Sequence, residues 1–192
     1  MGISVTLTPI DPDDDATLAQ VWAIQSDPAT WKHLPQARPD SPTARQAWAA
    51  KHAASWRDVG LGWWVVRLGE PLGGLSSGSV IGTGGCGATM PGVPAWNLGY
   101  RLTPAVWGHG LAGQIARQAL ESAHRVRPEW PVTARVLTRN PASWHVLERA
   151  GLTLAWEGAI AADDPLTAGL VRRVYADRRL DDDLLRQLIA LG

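Results

Sequence analysis

Three things are scarce in this sequence of 192 residues: cysteine occurs once, phenylalanine is absent, and the net formal charge is zero. Cys86 has no partner within the chain, so an internal disulfide is excluded and a reducing compartment is favoured. A neutral chain has no global field that would steer it toward nucleic acid or a membrane surface. We therefore predict a cytoplasmic protein that binds neither of them.

Long apolar runs are also missing. No stretch approaches the ~18 consecutive apolar residues of a membrane-spanning helix, and the N-terminus has no basic segment followed by an apolar one. We therefore expect no membrane span and no signal peptide. The length suits a single domain over residues 1–192, with residues 181–192 as a C-terminal helical extension, because no linker or internal repeat divides the chain.

Alternating and helical patterns of apolar residues predict the order of the elements. Four prolines between positions 27 and 42 exclude a continuous helix there. The segment 69–79, rich in glycine and serine, predicts a mobile hairpin loop. Hairpins alternate with crossovers, so we expect an α/β (α+β) fold in which a mixed sheet carries helices on its faces. Strands are expected at 3–7, 62–68, 80–89, 96–102, 132–137, 152–157 and 170–176, and helices at 16–25, 43–56, 108–125, 140–150 and from 181.

The clearest local motif is a glycine-rich turn between a predicted strand and a predicted helix. Gly108, Gly110 and Gly113 match the pattern G-x-G-x-x-G. Glycines allow the backbone to come close to a ligand, and the free amides of a helix's first turn point at an anion. The pattern therefore favours a phosphate or pyrophosphate as ligand. A tight strand-to-helix turn without a ligand would explain the same glycines.

The dinucleotide-binding fold uses this glycine pattern too, but its context is missing. That fold places the turn in the first strand-helix unit, with an acidic residue ~20 positions later. Here the turn lies past mid-chain, and Val132 and Thr133 stand where the acid would be. The elements before the turn are not a parallel βαβ series either. The glycines therefore do not indicate a dinucleotide site.

Two separated motifs carry a family resemblance. The first is Trp107-Gly108-His109-Gly110-Leu111-Ala112, and the second is Asn140-Pro141-Ala142-Ser143 followed by Val146-Leu147-Glu148-Arg149-Ala150-Gly151. They resemble the acyl-CoA signature and the Asn-x-x-Ser…Ala-Gly element of the GNAT N-acyltransferase superfamily. Trp107 replaces the Gln or Arg of the signature, as is frequent in the ribosomal-protein N-terminal acetyltransferase (RimJ/RimL-like) branch. The resemblance covers about residues 80–177.

The resemblance implies a fold and a cofactor. The fold would be a mixed, mostly antiparallel central sheet with a splayed strand pair and helices on both faces, and the cofactor would be acetyl-CoA. The pyrophosphate would lie on backbone amides of the signature turn, and the pantetheine arm between strands 97–102 and 132–137. An amide near Leu102 would polarise the thioester carbonyl. The implied cofactor-binding residues are Leu102, Trp107, Gly108, His109, Gly110, Leu111, Ala112, Gly113, Asn140 and Ser143.

The resemblance also implies catalytic roles. Ser143 would stand near the sulfur as proton donor, and Asn140 would bond the cofactor arm, although local helix capping explains both residues as well. The tyrosines, Tyr100 and Tyr175, are alternative acids, and Tyr100 joins Ser143 in the predicted catalytic set. Cys86 lies in a glycine-rich strand without an obvious histidine partner and is interpreted as a buried structural residue.

The general base is not evident from the sequence. Many relatives carry a glutamate at the position of Asn97, and an amide cannot accept a full proton. A chain of water molecules or another carboxylate would then do this work. Glu157, Asp163 and Asp164 are the candidates, although exposed acids near a turn are mostly solvated surface.

The sequence leaves the acceptor open. In this fold the segments 27–42 and 69–79 would set acceptor specificity, and an amino acid, a polyamine, an aminoglycoside or a protein N-terminus would each fit. A homodimer is expected from family habit. A non-catalytic acyl-CoA-binding sensor or scaffold is the alternative function, and Asn97 favours it. Residues that could line the acceptor pocket are Trp31, His33, Arg38 and Arg45.

Overall fold

The computed structural model describes residues 2–39, 41–160 and 167–191. The strands are β1 (Val5–Pro9), β2 (Trp63–Leu68), β3 (Val80–Met90), β4 (Val93–Leu102), β5 (Val132–Leu137), β6 (Thr153–Ala159) and β7 (Val171–Ala176). The α-helices are α1 (Asp15–Gln25), α2 (Pro42–Val59), α3 (Leu111–Val126), α4 (Pro141–Arg149) and α5 (Asp182–Ala190). Short 3-10 helices cover Pro28–Trp31, Pro35–Ala37 and Pro104–Val106. No described helix is long and apolar enough to cross a membrane.

The strands form one mixed sheet in the order β1-β2-β3-β4-β5-β7-β6. Neighbouring strands are antiparallel except for β4 and β5, which run parallel. The chain crosses over through α3 between these two strands, as a parallel connection requires. The predicted mixed, mostly antiparallel sheet is therefore confirmed.

Helices cover both faces of the sheet, as predicted. On one face α3 and α4 pack against inward-facing residues of β4 and β5, such as Trp96 and Ala134. On the opposite face α1 and α2 cover Val65, and α5 covers Ala95 and Val174. The apolar stripe of α5 is thus buried against the core of its own chain.

Local capping fixes the ends of several helices. The Asp14 side chain accepts a hydrogen bond from the amide of Thr17 and starts α1, and Asp181 does the same for α5 through the amide of Leu184. Asn140 caps α4. Side-chain oxygens at these positions satisfy amides that have no partner within the helix. The acidic runs near positions 11–15 and 181–183 therefore include helix caps.

Some predicted boundaries are wrong because pairing across the sheet, and not the local pattern, sets them. The first strand is Val5–Pro9 and not 3–7, since its pairing with β2 extends from Val5 to Pro9. The fourth begins at Val93 and not at 96, because Gly92, with φ of 83°, closes a tight turn. In segment 69–79, Leu72 and Leu75 exchange two backbone hydrogen bonds and pack beside α3.

Candidate active site

Strands β4 and β5 separate shortly after they begin to run side by side. They pair only at Trp96 with Val132 and at Asn97 with Thr133. Beyond that point β4 continues as far as Leu102 along β3, and β5 continues along β7. The two strands therefore enclose a wedge that opens toward their C-terminal ends, which is the splayed pair that the sequence predicts.

The registers of the two strands identify the backbone groups that face this wedge. The Thr103 amide donates to the Ile81 carbonyl, so in β4 the amides of Tyr100 and Leu102 point away from β3 and toward the wedge. By the same alternation, the amide and carbonyl of Arg135 in β5 point away from β7. These groups lie beyond the last β4–β5 pair, so they can bond a chain of amides placed between the strands.

The glycine-rich turn leads directly into α3 beside this wedge. Gly108 and Gly110 have φ of 82° and 77°, a left-handed conformation that favours glycine. Gly110 is the N-cap of α3 and supplies no side chain to bond the first amides of the helix. A methyl group added at Gly108 or Gly110 would meet nothing within 4 Å. The first-turn amides therefore face open space, where an anion is favoured.

The side chains around the turn have different roles. Trp107 is 46% exposed, and its Nε1 donates to the carbonyl of Leu102 at 2.9 Å. The indole thus ties the end of β4 to the turn. Leu111 is buried in the core, so only its backbone can contact a ligand. His109 is exposed, and the guanidinium of Arg117 lies beside Gly113.

The predicted catalytic residues Tyr100 and Ser143 are brought together although they are 43 residues apart in the chain. The hydroxyl of Tyr100 donates to the Ser143 carbonyl at 2.9 Å and lies 3.2 Å from Ser143 Oγ. Burial raises the pKa of Tyr100 to about 12, with a smaller opposing effect from Ser143. Tyr100 is therefore a protonated donor at neutral pH. Asn140 stands one turn earlier, where its side chain accepts from the Ser143 amide at 3.4 Å.

Two other sequence candidates are placed elsewhere. Tyr175 is buried, and its hydroxyl donates to Glu148 Oε1 at 2.8 Å, so it does not join the Tyr100–Ser143 pair. Cys86 is fully buried, and that burial, with a smaller effect from Asp177, raises the pKa of its thiol. The structural role predicted for Cys86 agrees with this environment.

Glu157, the candidate base among the described residues, is not brought to the pair. Glu157 lies on the edge strand β6, which is three strands from β4 and so roughly 14 Å from that strand. Its Oε2 forms an ion pair with Arg173 Nε at 2.5 Å. Asp163 and Asp164 lie outside the described residues. Asn97 borders a separate cavity of about 250 Å³ together with Arg135, Arg172 and residues of the β6–β7 region.

A second cavity of about 330 Å³ lies on the face of the sheet that α1 and α2 cover, and Tyr100 borders it. It is lined by Trp22, Gln25, Trp31, Ala37, Pro39, Ala44, Trp48, Trp63, Tyr100 and Arg101. We call it the acceptor-side cavity. Tyr100 therefore borders this cavity on one face of the sheet and bonds Ser143 on the other. Sequence analysis identified Trp31 but missed the other tryptophans and Arg101, since they are scattered over α1, α2, β2 and β4.

The other residues proposed for the acceptor pocket have different positions. The Arg38 side chain donates to the Ser26 carbonyl, and Arg45 forms an ion pair with Asp15 at 3.5 Å. The His33 carbonyl accepts from Arg139. None of these three residues lines the acceptor-side cavity among the described residues.

The segment 69–79 was also expected to set acceptor specificity, but none of its residues, all of which the structure describes, lines the acceptor-side cavity. Gly73 lies directly against the backbone of Ala105, and Leu72 and Leu75 pack on the cluster that contains Val106. The segment therefore supports the approach to the glycine-rich turn. Leu72 and Leu75 account for this position, because burying their side chains against the cluster is more favourable in free energy than exposing them to solvent.

The wedge and the turn fit the parts of acetyl-CoA. A pyrophosphate suits the open first-turn amides after Gly110, and a pantetheine arm with its own amides suits the unpaired backbone groups of Tyr100, Leu102 and Arg135. Within residues 2–39, 41–160 and 167–191, no group of histidine, cysteine or acidic side chains could hold a metal ion.

Comparison with known proteins points to the same chemistry. Residues 4–153 match the family described as acetyltransferase (GNAT) domain. An acetyltransferase from Agrobacterium tumefaciens is 23% identical with a TM-score of 0.69, covering 93% of this chain and 94% of that chain. RimL, a ribosomal-protein alpha-N-acetyltransferase solved with coenzyme A, is 17% identical with a TM-score of 0.68, covering 93% and 95%. A spermidine N-acetyltransferase chimera from Vibrio cholerae and hSSAT is 15% identical with a TM-score of 0.65, covering 94% and 98%.

The family match spans most of the chain, and the solved structures share its fold across nearly their whole length. The splayed strands and the glycine-rich turn are the features that the sequence resemblance implies for the cofactor. This protein therefore belongs to the GNAT acetyltransferase family and is a GNAT-type N-acetyltransferase that uses acetyl-CoA.

Proposed function

We propose that this enzyme moves an acetyl group from acetyl-CoA to a primary amine by direct attack within a ternary complex. The observation that carries the proposal is the Tyr100–Ser143 pair at the wedge, together with a cavity on the opposite face of the sheet that Tyr100 also borders. Donor and acceptor could then bind on opposite faces of the sheet and meet at Tyr100. Cys86 is fully buried, so its thiol is not exposed to act as a nucleophile for a covalent enzyme intermediate.

The binding roles follow from the backbone. We propose that the amides from His109 to Gly113 hold the pyrophosphate, and that Arg117, whose guanidinium lies beside Gly113, adds a cation. The backbone groups of Tyr100 and Arg135 would orient the pantetheine arm, and the Leu102 amide would bond the thioester oxygen as a single oxyanion donor.

Tyr100 is the proton donor for the leaving thiolate in this proposal. When bound, acetyl-CoA supplies an acetyl group activated as a thioester. Because the pKa of Tyr100 is raised to about 12 by burial, its hydroxyl stays protonated and can donate to a developing thiolate. Ser143 Oγ, at 3.2 Å, orients that hydroxyl and can return a proton to it. We therefore assign Tyr100 as the acid and Ser143 as its partner, with Asn140 positioning the first turn of α4.

The acceptor must enter as a neutral amine. None of the described residues around the acceptor-side cavity is acidic, and Arg101 is its charged member. A nearby cation disfavours the ammonium form and lowers the pKa of a bound amine. This environment makes a strong general base less necessary, which is consistent with Asn97 at the position where relatives carry a glutamate.

We also propose membership of the RimJ/RimL-like branch. Its support is the Trp107-Gly108-His109-Gly110 sequence and the shared fold of RimL, a protein N-terminal acetyltransferase. The identity to RimL of 17% leaves the acceptor of this chain to be determined by its own cavity.

The proposal is tested with an amine panel in an assay of thiol release from acetyl-CoA. Tyr100→Phe should lower kcat by roughly 10² to 10⁴-fold, the usual contribution of a general acid, with little change in acetyl-CoA affinity. Ser143→Ala should reduce kcat less. As a matched control, Tyr175→Phe removes the hydroxyl that bonds Glu148 and should leave kcat near the wild-type value.

Binding of the cofactor is tested separately by calorimetry. Gly110→Trp should abolish acetyl-CoA binding, because the side chain would occupy the space in front of the first-turn amides and Gly110 has positive φ. Unchanged affinity would refute the phosphate position. Tight acetyl-CoA binding without turnover on any amine would instead favour the alternative of a non-catalytic sensor.

A further inference from the structure

The acceptor-side cavity combines an aromatic wall with one cation. Trp22, Trp31, Trp48 and Trp63 contribute indole surface from α1, the first 3-10 helix, α2 and β2. Large indole surfaces of this kind bind an apolar group of the ligand. The volume of about 330 Å³ is at the small end of the range for small-molecule sites. The cavity therefore suits a compact molecule with an apolar body.

Arg101 is held rigidly at the wall of this cavity. Its Nη1 donates to the Thr30 carbonyl at 2.7 Å and lies 2.9 Å from Thr30 Oγ1. Its guanidinium carbon lies 3.8 Å from the centroid of the Trp31 ring. Thr30 is itself fixed, because its hydroxyl donates to the Asp27 carbonyl at 2.9 Å. The guanidinium is thus oriented before any ligand binds.

Among the residues that the structure describes, the remaining donors of Arg101 have no anionic partner. Nη1 of Arg101 donates its two hydrogens to the carbonyl and the hydroxyl of Thr30. Nε and Nη2 of Arg101 form no hydrogen bond or ion pair within the described part of the chain. Burial lowers the pKa of Arg101 to about 10. Arg139 adds a second positive charge in this region, since Arg101 and Arg139 both lower the pKa of His33. A desolvated cation without a carboxylate is unfavourable until an anion binds.

We infer that the acceptor is a small apolar amino acid, in which Arg101 binds the carboxylate through Nε and Nη2 and the tryptophan walls hold the side chain. The inference rests on the proposed function, because it places the amino group of that molecule toward Tyr100. The fork formed by two guanidinium nitrogens matches the two oxygens of a carboxylate. The same charge repels a polyamine, which has cationic groups and no anion.

The test compares acceptors that differ in one group. L-phenylalanine and 2-phenylethylamine share the same apolar body, but only the first carries a carboxylate; L-alanine keeps the carboxylate without the body, and spermidine has neither. For the wild-type enzyme, kcat/KM should be roughly 10- to 100-fold higher for L-phenylalanine than for 2-phenylethylamine, the fold-change expected for hydrogen bonds between charged groups. Spermidine should be the poorest acceptor.

Variants separate the carboxylate contact from the apolar contact. Arg101→Met should bring the kcat/KM of L-phenylalanine down to that of 2-phenylethylamine while leaving the latter nearly unchanged. Ala44→Leu should narrow the cavity and penalise L-phenylalanine more than L-alanine. Arg38→Met is the control: it removes an exposed arginine of segment 27–42 whose side chain donates to the Ser26 carbonyl, and it should preserve the preference for L-phenylalanine.

A binding measurement distinguishes failure of this inference from failure of the proposed function. L-phenylalanine is titrated into the protein with coenzyme A present, and tryptophan fluorescence and heat are recorded. Binding that Arg101→Met weakens at least 10-fold supports the inference even if no amine is acetylated, in which case only the proposed function fails. Equal or better turnover of 2-phenylethylamine or spermidine, or binding of L-phenylalanine that Arg101→Met leaves unchanged, overturns the inference while acetyl transfer stands.

Discussion

Protonation of His52 should make the stability of this enzyme depend on pH. The ring of His52 lies between Trp48 and Trp63, at centroid distances of 4.6 Å and 4.7 Å. Burial, with a smaller contribution from the charge of Lys51, lowers the pKa of His52 to about 4. Trp48 and Trp63 also line the acceptor-side cavity, so protonation would disturb its walls as well as the fold.

The size of the effect follows from the two pKa values. A histidine in the unfolded chain has a pKa of about 6.5, so between pH 6.5 and pH 4 the unfolded state binds more protons than the folded state. Stability contributed by neutral His52 is therefore complete above pH 6.5 and is lost as the pH falls through this window. About 2 kcal/mol should be lost between pH 7 and pH 5. The pKa of His33 is also lowered, by burial and by nearby arginines, so His33 should further reduce the free energy of unfolding as the pH falls.

The assay is urea unfolding at pH 7, 6 and 5, followed by tryptophan fluorescence. His52→Phe keeps an aromatic ring between the two indoles but cannot be protonated. Its free energy of unfolding should therefore fall by about 2 kcal/mol less than that of the wild type between pH 7 and pH 5. His109→Gln, at an exposed histidine, serves as the control and should retain the wild-type pH dependence. Identical pH dependence in His52→Phe and the wild type would refute the reasoning.

Three further substitutions probe other contacts. Gly99→Ala should cost roughly 1–3 kcal/mol in urea unfolding and raise the KM of the acceptor, because a methyl group at Gly99 would overlap the ring of Trp63; a wild-type KM would contradict this. Trp107→Phe removes the hydrogen bond to the Leu102 carbonyl and should weaken acetyl-CoA binding several-fold by calorimetry, whereas unchanged affinity would mean that this bond does not position β4. Asp181→Ala removes the N-cap of α5 and should lower stability by about 1 kcal/mol with unchanged kcat; altered kcat would connect α5 to the site.

Much of the cofactor side could be predicted from the sequence because local chemistry determines it. The left-handed conformations of Gly108 and Gly110 are favoured by glycine itself, and they lead into a helix whose first amides lack a side-chain cap. Asn140 and Pro141 likewise start α4 where the sequence predicts it. These features act over a few residues, so the sequence carries them directly.

The acceptor side could not be predicted in this way. Its cavity draws tryptophans from α1, α2 and β2, and only packing of these elements brings them beside Arg101. Segment 69–79, which was expected to set acceptor specificity and is described throughout, does not line the cavity, because two leucines hold it near α3. Side-chain contacts between distant elements have no signature in a single sequence.

The sequence by itself determined the order of the elements and the glycine-rich turn, since each depends on neighbouring residues, and its two separated motifs carried the family resemblance that implied acetyl-CoA. Only the tertiary structure decided where β4 and β5 part, because their pairing stops after Asn97 and Thr133. It also decided that Tyr100 rather than Tyr175 meets Ser143. Burial then raises the pKa of Tyr100, a change that depends on desolvation by surrounding elements and therefore on the folded chain.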